Sequence, residues 1–230
     1  MTALLGLTAR LQMATLCLVT DLHPAAGDVL DVVVAAVAGG VDMVQIRDSG
    51  VGHEALVEAV AGIADALAGS QALLGVHGEA GTVSGSRADV LHLSADGYAG
   101  PARTALGPHG LLGRSAHDPA QLARVTSDCD YVFIGPVWSG PVRGRGGGLE
   151  MVRRASVDCR DADDRPIPWF AAGGITARNV GQVLEAGARR IAVGRAVTAA
   201  SDPGEVSRQI ARTVGRAWLD DPLKGPVQPG

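Results

Sequence analysis

The sequence predicts an α/β protein with a single (β/α)8 barrel, or TIM barrel, on three observations. Short apolar segments and helical segments alternate eight times along the chain. Two late apolar segments, within residues 168–176 and 191–196, run into glycine and open directly into a helix. No Gly-x-Gly-x-x-Gly motif follows the first strand, which disfavours the open doubly wound sheet that the same alternation would fit.

Composition limits the classes of function. The length of 230 residues and a hydrophobic content of 47% are enough for one large domain with its own core. A net charge of −4 offers no basic surface for a nucleic acid backbone. No apolar run approaches the length of a membrane span, and the first residues lack the positive charge of a signal peptide. We therefore expect a cytoplasmic protein that binds neither nucleic acid nor membrane.

Cysteine and lysine usage excludes further chemistry. Cys17, Cys129 and Cys159 are odd in number and lack a Cys-x-x-Cys pair, so they support neither a disulfide framework nor a zinc site. Lys224 is the only lysine and lies in a segment rich in proline and glycine. A class I aldolase needs a buried lysine to form a Schiff base, and the domain offers no candidate.

The eight strands are predicted from short apolar segments bounded by glycine or polar residues. They are residues 16–20, 41–47, 72–77, 89–93, 111–115, 131–135, 168–172 and 189–194. We expect residues 1–14 to form a short helix or loose lead-in, residues 15–218 to form the barrel, and residues 219–230 to form a disordered tail.

The helices are predicted from capping residues and from the spacing of apolar positions. Asp28 and Asp118 are expected to cap two of them, the second with Pro119 in its first turn. Further helices are predicted over residues 53–67, 149–155, 177–186 and 203–218, with a short one from residue 101 and a weak one within 79–86.

A weak internal repeat supports the count of eight strands. Small residues followed by a polar one precede an apolar strand at residues 40–42, 87–89, 128–130 and 187–189. All four segments stand before even-numbered strands, as expected of a barrel built from a recurring two-strand module.

Polar residues at the end of strand 2 are candidates for substrate binding. Gln45 and Arg47 lie on the same face, because strand side chains alternate, and both can point into the barrel mouth. We expect both to contact substrate, since an inward guanidinium needs an anionic partner. The alternative for Arg47 is an ion pair with Asp21 or Asp42.

The loops after strands 7 and 8 are predicted to form a phosphate-binding cup. Gly173, Gly174 and Gly194 stand where an apolar strand meets a helix, and such loops turn free backbone N–H groups toward an anion. In a barrel both loops lie at the C-terminal face, where active sites are found. Arg195 could add charge to this cup or lie outside it. The alternative is that the glycines serve only close packing of helix and strand.

The loop after strand 6, residues 136–148, is too long for a simple connection. It is rich in glycine and carries Arg143 and Arg145. The sequence therefore predicts a mobile lid in this position.

Five short motifs stand at successive strand ends, at residues 44–47, 90–93, 113–117, 134–137 and 171–175. Together they resemble the motifs of the thiamin phosphate synthase and TenI superfamily. The resemblance covers nearly the whole predicted barrel and implies an enzyme of thiamin biosynthesis that acts on a small phosphorylated substrate.

In thiamin phosphate synthases, the resemblance implies that a pyrimidine diphosphate ionises with help from Mg²⁺ and basic groups. The thiazole phosphate nitrogen then attacks the carbocation. The two metal aspartates of that family fall at Gly78 and at Gly97, with Asp96 one position early. Ser49 replaces a family lysine, and residues 139–143 replace a threonine-rich, lysine-ended loop. Because a diphosphate leaving group carries several negative charges, these losses favour chemistry without a metal.

TenI-type thiazole tautomerases keep the barrel and the phosphate loops but need no metal. The resemblance implies a glycine at the first metal position, here Gly78, and a proton-transfer histidine, here His117. His77 is a candidate second acid–base group or substrate contact, and Ser115 is a candidate contact of the substrate or of the neighbouring strand. His92 is expected to be a satisfied histidine of the barrel interior.

Three functions are compatible with these residues. The first is a metal-independent, TenI-like tautomerase that moves one proton on a thiazole phosphate, without a cofactor. The second is a thiamin phosphate synthase, using Mg²⁺, in which His77, Asp96, Arg143 and Arg145 replace the usual diphosphate-binding groups. The third is a non-catalytic barrel that binds a phosphate ligand. In each case the partner is a small phosphorylated molecule. A homo-oligomer is also compatible with the sequence.

Overall fold

The computed structural model describes residues 5–138 and 147–220 of the chain. Eight parallel strands form a closed barrel in chain order, so the predicted (β/α)8 barrel is confirmed. The strands are β1 Leu16–Thr20, β2 Met43–Ile46, β3 Leu73–His77, β4 Val90–Leu93, β5 Leu111–Ala116, β6 Tyr131–Ile134, β7 Trp169–Ala172 and β8 Ile191–Val193.

Helices surround the strands, and their starts follow the local chemistry of the chain. Asp28 and Asp118 cap their helices as predicted, each accepting a hydrogen bond from a backbone N–H of the first turn. In the described ranges the helices are α1 Leu7–Met13, α2 Val29–Ala38, α3 His53–Ala66, α4 Ala80–Val83, α5 Ala99–Leu106, α6 Pro119–Val125, α7 Gly148–Asp158, α8 Val180–Glu185, α9 Arg195–Thr198 and α10 Pro203–Leu219.

Three helix boundaries differ from the predicted ones by two residues or more. α5 begins two residues before residue 101, α7 ends at Asp158 rather than at residue 155, and α8 begins at Val180 rather than at residue 177. The later start of α8 has a local cause, because Oδ1 of Asn179 accepts a hydrogen bond from the N–H of Thr176 at 2.7 Å. This bond closes a turn between the glycine loop and the helix. The short α9 directly follows Gly194, as the second glycine loop predicts.

The internal repeat has a structural meaning at the N-terminal ends of the strands. Asp42, Asp89 and Asp130 each precede an even strand, and each carboxylate accepts a backbone N–H from the odd strand before it. The donors are Leu16, Leu74 and Leu112, at 3.0, 3.0 and 2.7 Å. Before β8 the residue in this position is Arg190, one residue beyond the predicted repeat at 187–189, and its guanidinium instead donates to the carbonyl of Ala14 at 3.0 Å. The fourth segment is therefore out of register with the other three, and Arg190 binds the end of α1 rather than a neighbouring strand.

Apolar side chains close the N-terminal end of the barrel. Leu11 of α1 lies in one buried cluster with the inward-facing residues Cys17, Met43 and Leu73. The expected lead-in is therefore a helix that covers the barrel floor. Because this end is filled, the polar interior described below opens only toward the C-terminal ends of the strands.

The remaining global expectations concern thiols, membranes and the tail. All three cysteines are free, as the sequence indicates. Across residues 5–138 and 147–220, no helix combines the length and the apolar character needed to cross a membrane. Residues 221–230 lie outside the described residues, so the disordered tail stays a prediction.

Candidate active site

Polar side chains from four neighbouring strands face the upper half of the barrel interior. Residues of a strand alternate between the barrel interior and the helix layer. A polar inward residue therefore stands two or four positions after an apolar inward residue of the barrel floor. The polar residues are Gln45 on β2, His77 on β3, His92 on β4 and Ser115 on β5. His77 is paired with His92 across β3 and β4, and their rings stack with centroids 5.2 Å apart.

A continuous chain of hydrogen bonds crosses the interior. Nε2 of Gln45 donates to the hydroxyl oxygen of Tyr131 at 3.1 Å. The same hydroxyl lies 2.9 Å from Nδ1 of His92, and Nε2 of His92 lies 3.0 Å from Oγ of Ser115. The expected interior role of His92 agrees with these contacts, and the side chain of Ser115 does contact the neighbouring strand.

The surroundings of these hydrogen-bonded side chains keep both imidazole rings and the phenol uncharged. Burial lowers the pKa of His92 well below its ordinary value, and His77, Arg47 and His117 act in the same direction when they carry a positive charge. Burial and Arg47 lower the pKa of His77 to about 4. Burial raises the pKa of the Tyr131 phenol. At neutral pH, both imidazoles are therefore uncharged and the phenol keeps its proton.

Arg47 lies at the rim and not in the interior. Its side chain is exposed, so its guanidinium keeps contact with solvent. Within residues 5–138 and 147–220, Arg47 forms no ion pair with Asp21 or Asp42, the alternative that the sequence raised. The carboxylate of Asp42 lies at the opposite end of the barrel, where it accepts from Thr15 and Leu16, and that of Asp21 accepts from the N–H of His23. Arg47 instead borders a groove of about 700 Å³ together with His77, Gly78 and Thr82.

His117 stands just beyond the C-terminal end of β5, exposed at the rim. Its Nδ1 forms a hydrogen bond with the carbonyl oxygen of Gly135. A carbonyl can only accept, so Nδ1 carries the proton of the neutral ring and Nε2 is left as the basic nitrogen. The exposed setting beside the N-cap of α6 does not remove this base.

The glycine loops combine close packing with free amides. Gly173 and Gly174 have φ values of 97° and 69°. A Cβ atom at Gly173 would come within 2.6 Å of Cα of Pro136, and one at Gly174 within 2.9 Å of Cβ of Trp138. Close packing is therefore a real demand on both residues.

The same loops offer backbone donors to a ligand. The N–H groups of Gly173, Gly174 and Gly194 have no acceptor among the parts of the chain that the structure describes. Arg195, the first residue of α9, has an exposed side chain beside this cup. The two loops are thus placed as the phosphate-binding prediction requires, and the binding of an anion there stays a prediction.

The predicted lid falls largely outside the described residues. This applies to residues 139–146, which include Arg143 and Arg145. The described start of the loop is attached to β7, because the N–H groups of Val137 and Trp138 donate to the carbonyls of Ala172 and Gly173 at 2.8 and 3.1 Å.

Two residues of the site region were not singled out from the sequence. Tyr131 joins Gln45 to His92, and its only sequence signal is a tyrosine at the start of an otherwise apolar strand. Arg114 is buried on the outward face of β5, where it binds the carboxylate of Asp128 and the carbonyls of the loop after β4. It therefore positions that loop rather than facing the interior.

Potential metal ligands are sparse. The carboxylate of Asp96 is 2.8 Å from Arg124, and its side chain is 82% exposed. At Gly78, the space beside the backbone is filled by Thr82, whose Oγ1 would lie 2.2 Å from an added Cβ. Over residues 5–138 and 147–220, no group of three or more His, Cys, Asp or Glu side chains is arranged to hold a metal ion.

Comparisons with known proteins agree with this architecture. The family described as thiamine monophosphate synthase matches residues 16–197. A thiamine-phosphate synthase of Mycobacterium sp. (strain JLS) is 40% identical over 213 residues, which cover 87% of this chain and 92% of the relative. One from Mycobacterium tuberculosis (strain ATCC 25177 / H37Ra) is 41% identical over 215 residues, covering 88% of this chain and 95% of the relative.

Solved structures show the same fold. Thiamine phosphate pyrophosphorylase from Pyrococcus furiosus superposes with a TM-score of 0.78 at 23% identity, covering 92% of this chain and 99% of that one. At this level of identity, the likeness concerns the fold alone. On the family match and the relatives at about 40% identity, the chain belongs to the thiamine monophosphate synthase family, a family of thiamin-biosynthesis enzymes.

Proposed function

We propose that this chain is a thiamin phosphate synthase, which joins a pyrimidine diphosphate to a thiazole phosphate and releases inorganic diphosphate. The observation that carries the proposal is a pair of glycine loops with free amides beside a polar barrel interior. Relatives at 39–41% identity bear the synthase name, which favours this function over the tautomerase that the missing aspartates favoured.

The glycine loops are assigned to the thiazole phosphate. Amides of Gly173, Gly174 and Gly194 can donate to phosphate oxygens, and such backbone donors need no rearrangement when the anion arrives. Arg195 adds an exposed positive charge next to them. This anchor would hold the thiazole ring over the open end of the barrel.

The pyrimidine diphosphate is assigned to the interior and to the groove beside it. Gln45 and Ser115 supply polar contacts for the ring, while Arg47 and His77 border the groove that would receive the diphosphate. In the reaction, the bond between the pyrimidine methylene carbon and the diphosphate oxygen breaks, and its electrons leave with the diphosphate. The lone pair of the thiazole nitrogen then forms the new bond to that carbon. No proton has to move in this step.

The family resemblance implies Mg²⁺, and the residues present do not fit this ion. Gly78 and Gly97 have no side chain to supply a ligand, and Asp96 is paired with Arg124. Mg²⁺ in proteins is usually bound by one or two carboxylates together with substrate phosphates. Charge neutralisation near the diphosphate is therefore assigned to Arg47.

A TenI-like tautomerase is the second candidate, and one observation favours it. His117 presents Nε2 as a free base while the bond from Nδ1 to Gly135 fixes the ring. Tautomerisation of a carboxylated thiazole phosphate needs such a base and one phosphate anchor, and it breaks no phosphate bond. The two candidates thus differ in whether a proton transfer is required.

The test is to incubate the purified full-length chain with both synthase substrates and to quantify thiamin phosphate, with Mg²⁺ or with a chelator. In parallel, the carboxythiazole phosphate tautomer is supplied alone and followed by NMR. Thiamin phosphate above the buffer control supports the synthase. Isomerisation without coupling replaces it with the tautomerase, and calorimetric binding without turnover leaves a non-catalytic phosphate binder.

The partners and location proposed for the chain follow from this function. The partners are small phosphorylated molecules, and the location is the cytoplasm. A homo-oligomer is compatible with this function.

A further inference from the structure

We propose that Tyr131 and His92 are positioning residues that direct the hydroxyl proton of Ser115 toward the barrel mouth. Ser115 would then be a fixed hydrogen-bond donor to an acceptor atom of the ring bound there. The proposal deepens the proposed function, on which it rests for the identity of that ring. It assigns a direction to each hydrogen bond of the interior chain.

The direction starts at Gln45. The amide nitrogen of Gln45 can only donate, so the oxygen of Tyr131 accepts this bond at 3.1 Å. The single proton of the phenol is then available for Nδ1 of His92, which lies 2.9 Å from the oxygen. Tyr131 thus donates to His92.

The next step depends on a neutral imidazole with one proton. His92 is fully buried, and burial with the nearby positive charges lowers its pKa well below the ordinary value. With Nδ1 accepting from Tyr131, the proton lies on Nε2. Nε2 therefore donates to Oγ of Ser115, 3.0 Å away.

Ser115 is the last residue in this series of hydrogen bonds. Its oxygen accepts from His92, so its own proton cannot point back at the imidazole. The side chain is half-buried, near the C-terminal end of β5 and two positions before His117. The remaining direction for the proton is the open end of the barrel.

The position of the Tyr131 ring depends on a glycine of the neighbouring strand. A Cβ atom at Gly113 would lie 2.4 Å from the hydroxyl oxygen of Tyr131. The absence of this carbon lets the hydroxyl come within reach of both Gln45 and His92.

The first experiment reads the imidazole directly and needs no activity. In the full-length chain with ¹⁵N-labelled histidine, long-range ¹H–¹⁵N correlations report which nitrogen of His92 is protonated. We expect the Nε2–H form, and we expect Tyr131→Phe to convert it at least partly to the Nδ1–H form. An Nδ1–H form in the unmodified chain would overturn the proposal, because Ser115 would then donate to His92.

The second experiment is a double-mutant cycle on thiamin phosphate formation. Ser115→Ala and Tyr131→Phe should each lower kcat/KM about ten- to hundredfold, the range expected when a hydrogen bond to a reacting ring is lost. The double variant should be no slower than Ser115→Ala alone, within about twofold. If the losses in kcat/KM of the two single variants instead multiply in the double variant, the proposal is overturned.

Controls separate positioning from general damage. Phe170→Leu alters a ring that packs against Tyr131 but lies outside the hydrogen-bond chain. Its effect should multiply with that of Ser115→Ala. If Tyr131→Phe does not fold, His92→Gln interrupts the same chain and takes its place in the cycle. If the unmodified chain makes no thiamin phosphate, the proposed function fails while the NMR result still decides the direction of the bonds.

Discussion

Gly113 of β5 lies directly beneath the ring of Tyr131 of β6, so closely that a Cβ atom at Gly113 would be 2.1 Å from Cζ of the tyrosine. The glycine is inside a regular strand, and its φ is not in the left-handed region. Glycine is therefore needed at this position because it leaves space for the side chain of Tyr131. This contact connects the packing of the barrel with the polar interior of the site.

The first prediction concerns this contact. Gly113→Ala should lower the free energy of unfolding by about 2–3 kcal/mol, because the methyl group forces the buried tyrosine or the strand to shift. Urea denaturation measures the change. Gly181→Ala is the matched control, since a Cβ there meets nothing within 4 Å and the residue lies in α8. It should leave stability unchanged or raise it by up to about 1 kcal/mol. Equal behaviour of the two variants would contradict the crowding at Gly113.

The second prediction concerns the pH dependence of stability. The pKa of His77 is about 4 in the folded chain against 6.5 ordinarily, so between these values the unfolded chain binds a proton that the folded chain does not. The contribution of His77 to the free energy of unfolding is therefore fully present above about pH 6.5. It falls by roughly 2–3 kcal/mol as the pH falls toward 4.

Chemical denaturation at several pH values between 7 and 4 measures this loss. His77→Gln should make the curve less steep, because its amide does not titrate, while the buried His92 keeps its own share of the slope. His109→Gln, which replaces an exposed loop histidine, should keep the slope of the unmodified chain. An unchanged slope in His77→Gln would show that His77 is not held neutral.

The third prediction uses His117 to separate the two candidate reactions. Coupling requires no proton transfer, so His117→Ala should lower the rate of thiamin phosphate formation less than about tenfold. A tautomerase that relies on this base should lose about 10²–10⁴-fold in the isomerisation rate. Both rates are measured on the same preparations, with His109→Ala as the control. A loss of coupling larger than a hundredfold would give His117 a direct part in synthesis.

The fourth prediction tests the phosphate cup. Gly174→Ala places a side chain on a residue with a φ of 69° and against Trp138. The strain of about 1–2 kcal/mol should displace the loop amides and raise the Kd for thiazole phosphate about tenfold. Calorimetry measures the affinity.

The control for this substitution is Gly215→Ala in α10, where an added Cβ meets nothing within 4 Å. It should bind thiazole phosphate like the unmodified chain. Unchanged affinity in Gly174→Ala would mean that the phosphate is bound elsewhere.

Local patterns were enough to predict the strands and most helices. Apolar runs ending in glycine or a polar residue mark where each strand stops, and Asp28 and Asp118 mark helix starts by a bond within one turn. The start of α8 was missed because the turn at Asn179 competes with helix formation.

The site was only partly accessible to the same reasoning. Alternation along strand 2 predicts that Gln45 faces inward, and the strand–glycine–helix pattern predicts the loops after strands 7 and 8. Resemblance to a family adds His117. It could not predict that Arg47 stays exposed, or that Thr82 fills the space beside Gly78. These facts depend on how far each loop extends past its strand.

The sequence by itself determined the eight-fold alternation and the places where polar residues leave the strands, because these depend on spacing along one segment. Only the tertiary structure decided that a tyrosine of β6 joins a glutamine of β2 to a histidine of β4. Those residues are up to 86 positions apart, and their contact follows from closure of the barrel, which no local pattern records. Pairing of β7 with β8 places the loops after these two strands side by side, as the predicted anion site requires.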